Sequence, residues 1–378
     1  MELYNSYLEV DLGAIKRNVE RVRGGINPKV GIISVLKGNA YGAVNVTVGK
    51  YLFEKCGADH FGCSSVLEAV QLRQVGVDKF ILVMGGVPYH NIDAVVEYDL
   101  HTPAFHEEYL SLLENAAAKA GKTVSVHIKV ETGLNRIGVK PGPDLERICL
   151  FLKTLKHVKV RGIFTHFTQS GVPDKTVTYE ELGRFKTGFE QAKGHGFTFD
   201  YIHVQNSGAV PWLTFEHETH VRPGAIIYGS DNDFDENVHS KNRFGLEEVM
   251  TWRAFVTNVK TVQAGEAVGY DGHFKVTKTM DVATVSVGYA DGYTRTLGNS
   301  LKGVMLVNGK RATVIGICMD QAFLDVSGID VKINDAVTIL GRDGDEFLSV
   351  MDLQRQMNQT YLAAISVIPQ RVARMYKE

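Results

Sequence analysis

Eight short apolar, β-favouring runs punctuate the first ~235 residues, and helix-like spacing fills most of the gaps between them. The runs are 30–36, 60–64, 79–84, 100–105, 124–130, 158–165, 199–204 and 221–228; segments with helical spacing include 66–75, 92–97, 107–120, 144–155 and 180–193. Eight strand–helix units in this length predict an α/β fold that closes as a (β/α)8 TIM-type barrel, with a doubly wound open sheet as the structural rival. A polar, acidic stretch, 229–247, follows and reads as a linker or exposed loop. Beyond it the pattern changes to short strands at 251–262, 280–287, 303–307, 311–317, 322–326 and 336–340, with one helix-like segment at 350–357. The expected organisation is a barrel domain over 1–235 and a C-terminal, mainly β domain over 236–378 that contributes to a partner subunit's site. A length of 378 residues, too great for one ordinary core, agrees with two domains.

The bulk properties narrow the function classes. Lys and Arg number 41 and Asp and Glu 43, a formal charge of −2, which gives no reason to expect nucleic acid or an anionic membrane as the main partner. No stretch approaches the ~20 apolar residues of a membrane span, and residues 1–5 lack the basic-then-apolar form of a secretory signal. Cys56, Cys63, Cys149 and Cys318 are scattered and form no CxxC pair, so a cytoplasmic location is expected rather than a disulfide framework or a zinc site. Residues 42–50 lack the Gly-Lys-Ser/Thr of a phosphate-binding loop, and no G-x-S-x-G elbow is present. His217-Glu218-Thr219-His220 has the wrong spacing for a helical zinc site and reads as a surface loop, and no metal is expected.

Active sites of such barrels lie at the C-terminal ends of the strands. Polar or flexible residues stand there: Lys37, Ser64, Gly85, Lys129, His166, Asn206, Ser207, Arg222 and Gly224. Lys37 is the most telling. A strand-end lysine commonly reaches into solvent, but burial disfavours its charged form, and a neutral amine is what attacks a carbonyl.

Lys37 also belongs to a set of strings that run in one order through the chain. They are Leu36-Lys37-Gly38-Asn39-Ala40-Tyr41-Gly42, Val130-Glu131-Thr132-Gly133-Leu134-Asn135-Arg136-Ile137-Gly138, Thr165-His166-Phe167, Asn206-Ser207, Val221-Arg222-Pro223-Gly224, Val268-Gly269-Tyr270, Val287-Gly288-Tyr289-Ala290-Asp291-Gly292-Tyr293 and Cys318-Met319-Asp320-Gln321. Together they resemble the alanine racemase family, fold-type III enzymes dependent on pyridoxal 5'-phosphate, which usually has Ala at the position of Gly38. The resemblance implies an isomerase, a homodimer with shared active sites, and a supply of D-alanine for cell-wall synthesis if the source is bacterial.

It also implies roles for residues. Lys37 would hold the cofactor as a Schiff base, and its freed amine would act on the face of the D-enantiomer's α-proton. Tyr270, delivered from a second subunit, would act on the opposite face; a phenol, with an ordinary pKa near ~10, needs cationic help for this, from His166 and the nearby arginines. Ser207, Gly224 and Ala225, with Tyr41 and Tyr361, resemble the phosphate ligands. Arg222 would face the pyridine nitrogen; a guanidinium can only donate, so it keeps that nitrogen unprotonated and the ring a weak electron sink. Decarboxylases of the same fold class carry a glutamate there. Arg136 resembles the arginine near the cofactor's phenolic oxygen and the substrate carboxylate, and Lys129 a position carbamylated in several members. Met319, Asp320 and Tyr289 resemble substrate-pocket residues.

Two positions depart from the family. The run Thr168-Gln169-Ser170-Gly171 replaces an Ala and an Asp, and Gly316 replaces an arginine; both line the family's substrate corridor. Losing both charges together is self-consistent. Arg295, Tyr289 and Tyr361, similar to the inner corridor, are retained, which favours a small substrate. The rivals are a racemase of serine or another amino acid, a fold-III decarboxylase and a cofactor-carrier protein; Arg222 speaks against the second, and the β domain with Tyr270 and Met319 against the third.

Overall fold

The computed structural model describes residues 3–230, 244–294 and 303–378, with residues 361 and 362 described by their backbone alone. The chain divides into two compact units: residues 15–40 and 44–247 form one, and residues 1–14, 41–43 and 248–378 the other.

After strand β1 (Ser6–Asp11) and helix α1 (Leu12–Gly25), the first of these units runs through β2 (Gly31–Val35), β3 (His60–Cys63), β4 (Ile81–Val83), β5 (Thr102–Ala104), β6 (Val124–Lys129), β7 (Val158–Phe164), β8 (Tyr201–His203) and β9 (His220–Val221). The pairings are parallel and give two four-stranded sheets, β4-β3-β2-β9 and β5-β6-β7-β8. Parallel bridges close both seams: Leu82 with His101, and Asn206 with Arg222. The result is a ring of eight parallel strands, the barrel anticipated from the alternation, and not an open sheet. Helices α2 (Asn45–Lys55), α3 (Val66–Gln74), α4 (Ile92–Glu97), α5 (Glu107–Lys119), α6 (Pro143–Leu152) and α7 (Thr176–Gly194) follow six of the strands. Each buries one stripe; in α5 it is Tyr109, Leu110, Leu113 and Ala117, a helical repeat, with acids in the first turn and Lys119 in the last.

The eighth strand is shorter than the apolar run 221–228 suggests. Pro223 removes a ladder donor, and residues Ala225–Tyr228 coil into a 3-10 turn instead.

The interior of the barrel is unusually polar. Phe80, beside β4, and Tyr201, on β8, meet at 4.5 Å between ring centroids although their strands are not neighbours, so both rings lie inside the ring of strands. His60, His101, His127 and His220 pack on the same two rings. Burial holds the imidazoles neutral: it lowers His60 to about 4 and His101 to about 3, and takes His127 well below the ordinary range.

The other unit is an antiparallel sheet of β10 (Met250–Val262), β13 (Met280–Val285), β14 (Val304–Val307), β15 (Lys310–Ile317), β16 (Ala322–Asp325), β17 (Ala336–Asp343) and β18 (Glu346–Leu348), with a small hairpin of β11 (Ala267–Val268) and β12 (Phe274–Lys275). Strand β10 pairs with both β13 and β17, so six strands close on themselves around Trp252. Helices α8 (Val350–Met357) and α9 (Tyr361–Ser366) precede β19 (Ala373–Lys377).

Two expectations are corrected. The N-terminal segment does not belong to the barrel, because β1 pairs antiparallel with β10 and parallel with β19. A linear cut at 235 therefore misassigns residues 1–14, and the cut itself lies outside the described residues. Nor is 217–220 a surface loop: Glu218 is buried, and its carboxylate accepts the N–H groups of Val204 (2.8 Å) and Gln205 (2.9 Å). Burial pushes that carboxyl up to about 7.

Candidate active site

Lys37 sits just past β2, partly buried, at the C-terminal mouth of the barrel. Removal from water lowers its amine pKa, Arg136 and Arg222 lower it further, and Glu68 opposes them. The chain beyond Lys37 is left-handed, with φ of 63° at Gly38, 55° at Asn39, 54° at Ala40 and 54° at Tyr41. Glycine takes that region freely, whereas each of the other three residues costs ~1–2 kcal/mol there. Hydrogen bonds hold the turn: the Asn39 N–H donates to Glu68 Oε1 at 2.9 Å and the Asn45 N–H to Asn39 Oδ1 at 2.9 Å. Glu68 Oε2 also accepts the Ser64 and Ser65 N–H groups at 2.9 and 3.2 Å, so one carboxylate ties the end of β3 to the turn beside Lys37. Only Gly38 and Gly42 hint at this turn in the sequence.

Arg222, the residue after β9, is buried. Its Nη2 donates to the carbonyls of Thr165 (2.6 Å) and Val204 (3.2 Å), and its Nη1 to the carbonyl of His203 and, at 2.9 Å, to His203 Nδ1. Both terminal nitrogens are thus occupied, and among the described residues Nε has no hydrogen-bond partner. Burial brings the guanidinium down to about 10, with Glu218 opposing, so it stays cationic at neutral pH. Phe164 packs between groups: His203 stacks on it at 4.9 Å, and the Arg222 and Lys129 cations lie 5.7 and 5.5 Å from its centre.

The other barrel residues divide by environment. Lys129, at the end of β6, is buried; its Nζ donates to the Val130 carbonyl at 2.9 Å, and burial lowers the amine to about 7. His166 is partly buried, and burial followed by the cations Arg222, Lys37, Arg136 and Lys129 holds it well below the usual imidazole range. That depression weighs against His166 as a source of cationic help. Arg136 is exposed, with no hydrogen bond or ion pair among the described residues. Ser207 is buried, and its hydroxyl accepts the Gly224 N–H at 2.8 Å, which brings the ends of β8 and β9 together at Ala225. Tyr41 is buried.

Residues 168–171, the expected corridor segment, are held by a set of hydrogen bonds. Buried Glu181 accepts from the Thr168 N–H (3.0 Å) and hydroxyl (2.8 Å), Ser170 Oγ donates to Asn206 Oδ1 at 2.6 Å, and Trp212 Nε1 donates to the Ser170 carbonyl at 3.0 Å just before Gly171. In the β unit, a Cβ on Gly316 would stand 3.0 Å from the Phe323 ring, which an arginine there would have to displace.

That unit carries the remaining predicted residues. Tyr270 is 68 % exposed and Met319 57 % exposed, and Tyr289 is exposed too. Tyr270 opens a 3-10 turn set by Gly269 (φ 82°) and Asp271 (φ 57°). Tyr289 and Met319 are brought together by backbone bonds, the Tyr289 N–H to the Cys318 carbonyl at 3.1 Å and the Ala290 N–H to the Met319 carbonyl at 2.8 Å, with Asp320 following. Gly288 makes the approach feasible, since a Cβ there would lie 2.4 Å from the Met319 carbonyl and 2.5 Å from the Asp320 nitrogen. Gly288→Ala is expected to cost about 1–3 kcal/mol of stability in denaturant unfolding, as overpacking against backbone does; an unchanged unfolding midpoint would contradict the fit. The backbone of Tyr361 starts α9, and Arg295 lies outside the described residues.

Comparison with known proteins covers nearly the whole chain. The family model for the alanine racemase N-terminal domain matches residues 10–232, and that for the alanine racemase C-terminal domain matches residues 249–376. An alanine racemase of Methanococcus maripaludis is 34% identical over 372 residues, 98% of each chain. Among solved structures, an alanine racemase from Bacillus anthracis with bound L-Ala-P superposes with a TM-score of 0.92 at 28% identity, covering 100% of this chain and 96% of that one. An alanine racemase from Bartonella henselae with covalently bound pyridoxal phosphate shares the fold, with a TM-score of 0.86 at 22% identity over 99% of this chain and 100% of that one. The barrel, the β unit and both family models agree, and the chain belongs to the alanine racemase family.

Proposed function

We propose that this enzyme is a pyridoxal 5'-phosphate-dependent isomerase that interconverts L- and D-alanine, with Lys37 and Tyr270 as its two acid–base groups. The observation that carries the reading is Lys37: an amine at the C-terminal mouth of a parallel barrel, with its pKa depressed by burial, Arg136 and Arg222, in a chain of this family. The donor set fits the cofactor. Lys37 offers the amine that would hold it, Ser207 and the Gly224–Ala225 backbone suit its phosphate, and Arg136 suits an anionic oxygen. When bound, pyridoxal phosphate withdraws electrons from the substrate's α-carbon and so acidifies its proton.

Arg222 decides how strong that withdrawal is. Its terminal nitrogens are spent on Thr165, His203 and Val204, so Nε is the atom that would be free to donate to the cofactor's ring nitrogen. A group that only donates keeps that nitrogen an acceptor, which favours proton transfer over decarboxylation. Lys37 serves one face of the α-carbon, and Tyr270 the other. Because Tyr270, Met319 and Tyr289 stand exposed on their own unit, a second copy of the chain is the expected recipient, so the working enzyme is a homodimer; the arginines beside Lys37, Arg136 and Arg222, are the candidates to assist the phenol. Met319 and Asp320 border the substrate, and Lys129 is the expected carbamylation site.

The test is α-proton exchange in D₂O, followed for each enantiomer of alanine with the purified, cofactor-loaded protein. Deuterium should enter both enantiomers as they interconvert, faster than for serine in a parallel panel. Protein that holds no pyridoxal phosphate and racemises no amino acid would sink the reading, and release of CO₂ would turn it toward a decarboxylase.

A further inference from the structure

Three of the histidines inside the barrel form a hydrogen-bonded chain that ends on Arg222. His101 Nδ1 lies 2.9 Å from His127 Nε2, His127 Nδ1 lies 2.8 Å from His203 Nε2, and His203 Nδ1 lies 2.9 Å from Arg222 Nη1. All four side chains are buried. The link from His127 on β6 to His203 on β8 has to cross β7, and it does so at Gly162. A Cβ there would stand 2.3 Å from His127 Nδ1, so the missing side chain is the passage.

The direction of the chain follows from its end. A guanidinium has no acceptor atom, so His203 Nδ1 must be the acceptor and His203 must carry its proton on Nε2. That proton can only be donated to His127 Nδ1, which places the His127 proton on Nε2, and that in turn makes His101 Nδ1 an acceptor. Every ring therefore accepts from the Arg222 side, and His203 and His127 each donate on to the next ring. Aligned bonds of this kind polarise one another, and their acceptor ends face the cation.

Arg222 needs such support. A buried charge is costly unless compensated, yet each acceptor on its terminal nitrogens is neutral: three backbone carbonyls and one imidazole. We propose that His127 and His101 are positioning residues for Arg222, a one-way imidazole chain that holds the guanidinium's charge and orientation from beneath the site. The catalytic consequence rests on the role given to Arg222 above: with the chain cut, Arg222 holds the ring nitrogen less firmly as an acceptor, and abortive transamination rises against racemisation.

The chain can be read without substrate. In protein labelled with ¹⁵N-histidine and ¹⁵N-arginine, side-chain ¹⁵N–¹H correlations at pH 7 should show His101, His127 and His203 neutral with the proton on Nε2. A proton on Nδ1 of any of the three, or a cationic ring, overturns the proposal. His101→Leu removes the last acceptor, and His101→Asn returns one through its amide oxygen. The Leu variant should displace the His127, His203 and Arg222 signals and raise transamination per turnover at least about threefold with KM for alanine unchanged, and the Asn variant should restore both. An Arg222 signal or a partition ratio indifferent to His101→Leu would leave the histidines as packing only and overturn the proposal. If His101→Leu does not fold, the wild-type protonation pattern and the Asn variant still decide. Protein that shows the expected pattern but racemises nothing refutes the proposed activity while the chain stands, judged by the ¹⁵N signals alone.

Discussion

Lys37→Ala is expected to abolish racemisation, with a loss of at least about 10⁴-fold, and to release the cofactor's protein-linked absorbance. Two functions are removed together. The covalent hold on the cofactor disappears, and so does the base on one face of the α-carbon, which by itself is worth about 10²–10⁴-fold. The environment explains why this lysine serves. Burial and two guanidinium groups make its neutral form accessible, and Glu68 limits how far that goes. The measurements are initial rates in both directions and an absorbance spectrum after dialysis. A variant that keeps the wild-type rate, or the linked absorbance, would remove Lys37 from the chemistry.

Tyr270→Phe is expected to divide the two enantiomers. Exchange of the α-proton of L-alanine should fall by about 10²–10⁴-fold, and that of D-alanine, served by Lys37, by much less. The phenyl ring keeps the volume of the exposed side chain, so folding should be spared and the loss assigned to the hydroxyl. Exchange is followed by NMR in D₂O from each pure enantiomer. An equal loss from both would contradict two groups on opposite faces. Because Tyr270 stands in the β unit and is 68 % exposed there, mixing Lys37→Ala with Tyr270→Phe protein distinguishes a shared site from a self-contained one: a homodimer that shares sites regains one intact pair in mixed dimers.

Much of this architecture was legible in the sequence, and the exceptions have physical causes. The barrel strands stand where the apolar runs do, because a strand buried on both faces reads as a continuous apolar stretch. Strand β9 stops early because Pro223 and Gly224 are weaker strand formers than the flanking Val221 and Ile226 suggest. Strand β1 alternates as any half-buried strand does, and nothing local says which sheet receives it, since its partners lie at the far end of the chain. Lys37, Arg222 and Ser207 were recognisable from their strings, whereas Glu68 was not, since its work is done through backbone N–H groups that no motif records. The histidine chain did leave a signal. His127 stands between Val126 and Ile128, and His203 between Ile202 and Val204, in strands too apolar to leave an imidazole in water. Pairing them needed the third dimension, because the gap at Gly162 is visible only once β6, β7 and β8 lie side by side.

The place of β1 also bears on the order in which the molecule is made. Leu8 stands opposite both Trp252 and Arg374, so the strand synthesised first has no ladder to join until β10 and β19 have been synthesised. The barrel strands mostly pair with neighbours close in sequence, and contacts of short range form early. The half that carries Lys37 can therefore close during translation while residues 6–11 wait beside it with open backbone donors. The edge of the β unit is therefore completed only at the end of the chain, because β1 gains its second neighbour when residues 373–377 have been made.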